Sequence, residues 1–98
     1  MTTQIRIYTI NRGQLQQFAA EWRQNILPLR QELGFQVGGA WLLEDTSQFV
    51  WQLSYDGSDW SEKDAAYYTS PKRLAMDPNP ARLIARAEEY FALEVTFD

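Results

Sequence analysis

The sequence predicts a two-layer α+β domain, an antiparallel sheet of four strands with helices on one face. Three observations predict it. Strand-like and helix-like segments follow one another in the order β-α-β-β-α-β. All of them fit within 98 residues, and 45% hydrophobic with 22% charged residues supports one core, hence a single domain over residues 1–98.

Ile5 to Ile10 is short, β-branched and aromatic and ends in the turn Asn11-Arg12-Gly13, which predicts strand one. From Leu15 the apolar residues Leu15, Phe18, Trp22, Ile26, Leu29 and Leu33 recur every three or four positions and draw one stripe along a helix. Asn11 and Gln14 have capping-box spacing at its start, and Gly34 stands where a left-handed C-terminal residue is wanted. Pro28 cannot donate to the carbonyl of Gln24, so a kink is expected there. Phe35–Leu43 and Phe49–Tyr55 read as strands two and three around the turn Glu44-Asp45-Thr46-Ser47. Asp59 with Glu62 suggests the capped start of a second helix reaching about Thr69 and closed by Pro71. Asn79 before Pro80 predicts a short third helix to about Ala87. Tyr90 to Phe97 alternates strictly, which predicts strand four.

This order is that of a ferredoxin-like fold with the strands arranged 4-1-3-2. One side-chain parity is nearly all apolar: Ile5 and Ile7, Phe35 to Leu43 by alternate residues, Phe49, Trp51, Leu53, Tyr55, and Phe91 to Phe97. The other, with Arg6, Tyr8, Ile10, Ala40, Leu42, Val50, Gln52 and Glu94, is too apolar for water and too polar for a dry core. Helices bury only one face and leave strands two and four as edges, so a homodimer is expected, its two sheets face to face around a barrel. A bulge at Gly38-Gly39 would flip the later residues of strand two.

Composition excludes several classes. Thirteen acidic residues against nine basic ones argue against a nucleic-acid platform. With no His and no Cys, ordinary zinc sites, disulfides, thiolate nucleophiles, Ser-His-Asp triads and His-ligated haem are unavailable, and no metal or cofactor is expected. No apolar stretch is long enough for a membrane span and the first residues lack an export pattern, which suggests a cytoplasmic protein. The acidic group Asp56, Asp59, Glu62, Asp64 lacks the spacing of a calcium loop and reads as helix capping and dipole complementation.

Five ordered segments carry a resemblance. Ile7-Tyr8-Thr9-Ile10 with Gly13, Leu27-Pro28-Leu29-Arg30, Leu33-Gly34-Phe35 leading to Gly39-Ala40-Trp41, Phe49 to Asp56, and Ala65-Ala66-Tyr67-Tyr68 before Ser70-Pro71 together resemble a NIPSNAP domain. The resemblance covers about Ile5 to Pro71. It implies the dimeric α/β-barrel superfamily, whose members include cofactor-independent monooxygenases, isomerases and haem-degrading enzymes, with a pocket between sheet and helices. Small NIPSNAP proteins mostly lack an established activity, and a His-free chain has no counterpart of the usual haem ligand.

The candidate ligand-binding residues are Arg6, Tyr8, Trp22, Trp41, Trp51, Tyr67 and Tyr68. Trp22, Trp41 and Trp51 are placed by periodicity to meet between sheet and helix, as core or as pocket wall. Tyr67 and Tyr68 point about 100° apart on a helix, so only one faces the sheet fully. Arg6 reads either as the anchor for an anion, with Tyr8 as donor, or as half of a cross-strand pair with Glu94, flanked by Gln52. Three functions follow: binding of a small hydrophobic or aromatic ligand, a cofactor-free monooxygenase or isomerase using a tyrosine, or an interaction module with a filled core.

Overall fold

The computed structural model describes residues 1–97. Strands β1 (Thr2–Ile10), β2 (Gln36–Leu43), β3 (Gln48–Tyr55) and β4 (Ile84–Phe91) form one antiparallel sheet in the order β2-β3-β1-β4. This is the predicted ferredoxin-like topology. The helices α1 (Leu15–Glu21), α2 (Leu27–Glu32), α3 (Trp60–Thr69) and α4 (Pro71–Leu74) follow in the two predicted connections.

The predicted stripe builds the first connection. Phe18, Trp22, Ile26 and Leu29 are buried, while Leu15 and Leu33 at its two ends are only partly covered or exposed. Phe18 meets Phe49 edge-on at 5.2 Å, and Trp22 meets Trp51 at 5.5 Å. Complete burial of Phe18 stabilises the fold by about 2 kcal/mol. The expected disturbance at Pro28 is a π-helical turn, Trp22–Ile26, between α1 and α2. There the Leu27 N–H donates to the carbonyl of Trp22, five residues back, and the widened turn takes up the missing donor of Pro28 without ending the helix.

Gly34 closes α2 at φ +94°, its N–H donating to the Gln31 carbonyl and that of Phe35 to the Arg30 carbonyl. Gly34→Ala is expected to lower stability by about 1 kcal/mol in chemical unfolding, since the added Cβ opposes the left-handed backbone rather than any crowded neighbour. The start of α1 differs from expectation. Asn11 accepts from the Gln14 N–H through its backbone carbonyl while its side chain donates to the Arg82 carbonyl, so it anchors a turn instead of capping a helix. Asp59 does precede α3, but its side chain makes no cap hydrogen bond. Asn79 caps as predicted, accepting from the Ala81 N–H, yet the segment it opens is one 3₁₀ turn, Pro80–Leu83.

Strand four is the largest correction. It occupies Ile84–Phe91 instead of Tyr90–Phe97, because β4 runs antiparallel to β1 from Ile10↔Ile84 to Gln4↔Phe91. Ala92 still donates to the Thr3 carbonyl, and beyond that β1 offers only Thr2. The alternating tail therefore leaves the sheet with Leu93, Val95 and Phe97 almost fully exposed.

Side-chain parity is also corrected. In β3 the predicted set, Phe49, Trp51 and Leu53, does face the helices and is buried. In β1 the sets are exchanged: Gln4, Arg6, Tyr8 and Ile10 are buried under the helices, while Ile5 and Ile7 lie on the open face beside Gln52 and Val50. Arg6 turns inward because its carboxylate partners stand on that side. In β2 the register shifts between Val37 and Gly39, as anticipated at the two glycines, and Trp41 pairs with Val50 on the open face. A Cβ at Gly38 would lie 2.7 Å from the Gln52 side-chain amide, which would have to swing aside to admit it.

Glu21, buried in α1, receives two hydrogen bonds from Arg82 at 2.7 and 2.9 Å and one from Gln17. The Arg82 bond holds its carboxyl below the usual glutamate range, against the opposing effect of burial. A depressed pKa contributes stability that is complete above the unfolded value and is lost as pH falls through the folded one. Glu21→Gln is therefore expected to shift the acid-unfolding midpoint upward and to flatten the acid limb of a stability-against-pH curve.

Candidate ligand cleft

Between the sheet and the helices lies a cleft of about 130 Å³. Its floor is Tyr8 and Trp51 from β1 and β3, its roof Ile26, Arg30, Tyr67 and Tyr68, and its rim Arg73, Ala81, Ile84, Ala87 and Glu89. A dry cavity of similar size is known to take up benzene, so this one accommodates a molecule of about six heavy atoms.

A buried ionic network stands beside it. Arg6 is fully buried, and its guanidinium donates to Gln4 Oε1 at 3.0 Å, the Tyr68 hydroxyl at 2.9 Å and Asp64 Oδ1 at 3.0 Å. Glu89 Oε2 lies 2.9 Å from the same group, across the β1–β4 ladder. Burial opposes the charge on Arg6, but the Tyr8 and Tyr68 oxygens and Asp64 outweigh it and raise the pKa above the ordinary arginine value. Arg30, 1% exposed, lies face-on to the Tyr67 ring at 3.6 Å and 4.7 Å from that of Phe35. Its Nη1 is 2.9 Å from Asp64 Oδ1 but too oblique for a directed hydrogen bond, so that contact is purely ionic. One carboxylate oxygen thus serves two buried guanidinium groups. Asp64 reaches them because it sits three and four residues before Tyr67 and Tyr68, on the same side of α3.

The Tyr8 and Tyr67 phenols stay protonated at neutral pH. Burial pushes the Tyr8 hydroxyl up to about 12 and also raises that of Tyr67.

Of the residues proposed from sequence, Tyr8, Trp51, Tyr67 and Tyr68 meet at the cleft. Tyr67 is the member of the pair that faces the sheet, and Tyr68 is half-exposed at its side. Arg6 lies just behind, its donors engaged within the protein. The Arg6–Glu94 pairing is corrected to Arg6 with Asp64 and Glu89, since the strand that faces β1 is Ile84–Phe91 and Glu94 lies past its end. Gln52 is on the opposite face, paired with Ile5. Trp22 packs behind Trp51 in the core. Trp41 does not join the other two, because the bulge turns it outward to 53% exposure on the open face.

Arg30, Asp64, Arg73 and Glu89 were not proposed from sequence as site residues. For Arg30 a signal existed: it falls four residues after Ile26, within the buried side of the helix. Asp64, whose place in the sequence suggests a capping acid, is instead the counter-ion of two arginines. Among the described residues no group of three or more His, Cys, Asp or Glu side chains is placed to hold a metal ion. No described helix is long and apolar enough to cross a membrane.

No family model matches the chain, and no curated protein matches it. Solved structures do. A NIPSNAP domain protein from Burkholderia xenovorans, described as uncharacterized, superposes with a TM-score of 0.84 at 18% identity, covering 100% of this chain and 98% of the other. A NIPSNAP family protein from Agrobacterium tumefaciens gives 0.84 at 20% identity, covering 98% and 94%. An antibiotic biosynthesis monooxygenase gives 0.70 at 11% identity over 98% of this chain and all of the other. The chain therefore has the NIPSNAP domain fold, which bears out the resemblance read from the five segments and is shared more distantly by the monooxygenase.

Proposed function

We propose that this chain is a cytoplasmic, NIPSNAP-like homodimeric protein that binds a small ligand in the cleft between sheet and helices. The observation that carries the binding reading is the cleft itself, a space of about 130 Å³ walled by Tyr8, Trp51, Tyr67 and Tyr68 beside a buried ionic network. The seven candidate residues divide into cleft wall (Tyr8, Trp51, Tyr67, Tyr68) and support (Arg6, Trp22), with Trp41 at the dimer interface.

The dimer reading rests on the open face and the tail. Trp41, Leu43 and Tyr90 are about half exposed on that face, and an alternating apolar segment beyond Phe91 extends past its last partner in β1. A second copy supplies what both need, since in a two-fold interface the tail of each chain covers the open face of the other.

Binding without catalysis is favoured over the monooxygenase or isomerase reading because the buried phenols stay protonated at neutral pH and Glu89 is engaged by Arg6, which leaves the cleft no free base. Light scattering of the purified protein is expected to report twice the 11.4 kDa chain mass. Addition of small neutral and anionic compounds is expected to change tryptophan emission saturably, through Trp51. A mass of one chain would defeat the dimer, and an emission unresponsive to every compound of this size would defeat the cleft.

A further inference from the structure

We infer that the cleft takes a small carboxylate with a short apolar body, received by Arg30, Arg73 and Tyr67; this rests on the small-ligand reading above and deepens it. The argument is a count of donors against acceptors. Arg30 Nε, Arg73 Nε, the Tyr67 hydroxyl and Trp51 Nε1 are all buried without a well-directed hydrogen bond, Arg73 and Trp51 lying beside the Tyr67 and Tyr8 hydroxyls at poor geometry, and all four side chains line the cleft. Such concentration of unmet donors at one place is costly unless an acceptor arrives.

No acceptor of the protein meets these donors with good geometry. Glu89, the only carboxylate among the lining residues, is engaged by Arg6, and Asp64 already serves both Arg6 and Arg30 through one oxygen. Arg6, Arg30 and Arg73 against Asp64 and Glu89 leave one positive charge in excess, so the incoming acceptor is an anion. Arg73 is held at the rim by its Nη2, which donates to Asn79 Oδ1 at 3.1 Å, with its Nε left over. A carboxylate suits planar guanidinium donors, and its two oxygens accept from several of them at once. The remaining wall is apolar, Ile26, Ile84 and Ala87, and matches an alkyl body rather than a second charged group.

The test follows the Trp51 indole N–H resonance during titration of the intact protein with butyrate, with butyramide as its neutral counterpart, and with inorganic phosphate. Butyrate is expected to shift it saturably and to bind at least about tenfold more tightly than either of the others. Arg73→Gln and Tyr67→Phe are each expected to weaken butyrate severalfold and leave butyramide unchanged, a readout that general loss of folding would not produce. Butyramide binding as tightly as butyrate would overturn the carboxylate while leaving the small-ligand cleft standing. Phosphate binding as tightly as butyrate would show that charge alone is read and would also overturn it. If none of the three shifts Trp51, the carboxylate and the cleft reading fall together.

Discussion

Asp64→Asn is expected to destabilise the protein by about 3 kcal/mol, the largest effect of any single exchange of similar size on α3. The carboxylate oxygen lies 3.0 Å from Arg6 Nη2 and 2.9 Å from Arg30 Nη1, and both arginines are essentially sealed from water. Arg6 would keep Glu89 at 2.9 Å, but Arg30 has no other carboxylate partner among the described residues. Asparagine preserves volume, so the loss reads the uncompensated buried charge and not a cavity. Asp64 is itself 21% exposed, which lets water reach the vacated position and keeps the effect at the lower end of the range for breaking a buried pair. Urea unfolding measures it directly. Glu89→Gln is the matched control: its side chain is 45% exposed, and a loss below about 1 kcal/mol is expected. Equal small losses for both variants would mean that the guanidinium groups are better solvated than their burial indicates.

Trp41→Glu is expected to turn the dimer into a monomer while leaving the fold of each chain intact. The ring is 53% exposed on the open face, where it lies over Gly39, so its removal empties no part of the helix-side core. In the proposed interface the same ring is a central aromatic anchor, and a carboxylate in its place would be buried twice, once from each chain. Losing such an anchor weakens association by about a hundredfold or more. Sedimentation or light scattering should find the 11.4 kDa chain mass for the variant at concentrations where the parent protein weighs twice as much. The control is Gln24→Glu, an equal change of charge on an exposed helical position, which should leave the mass unchanged. A Trp41→Glu protein that remains dimeric would place the interface elsewhere.

Much of the fold was legible because period and punctuation agreed. The helix stripe from Phe18 to Leu29, the Gly34 stop, the β2–β3 hairpin and the bulge at Gly38-Gly39 all follow from local chemistry, and all are found. Strand four was not legible. Ile84–Phe91, Ile-Ala-Arg-Ala-Glu-Glu-Tyr-Phe, is rich in helix formers, and it extends only because β1 offers it a ladder. Beyond Ala92 the tail has the better strand pattern but no strand partner among the described residues.

The site divides in the same way. Tyr8, Trp51, Tyr67 and Tyr68 could be nominated as aromatic and polar residues on predicted elements, and they meet at the cleft. Which face of β1 turns inward could not be read, because alternation assigns two parities without saying which one the helices cover. A charged residue such as Arg6 normally argues for the wet side, and only α3, carrying Asp64 and Tyr68 to that spot, reverses the preference.

By itself the sequence determined what depends on neighbours in the chain: element order, the positions of the turns and of the Gly34 helix stop, the antiparallel topology, and the exclusion of chemistry that needs His or Cys. Only the tertiary structure decided what depends on residues far apart in the chain. Asp64 lies 58 positions from Arg6 and becomes its counter-ion because the sheet and α3 are packed together. Local propensity acts over a few residues, whereas the cost of an unpaired buried charge is set by whatever the fold brings within a few ångströms, and that is known only once the layers have closed.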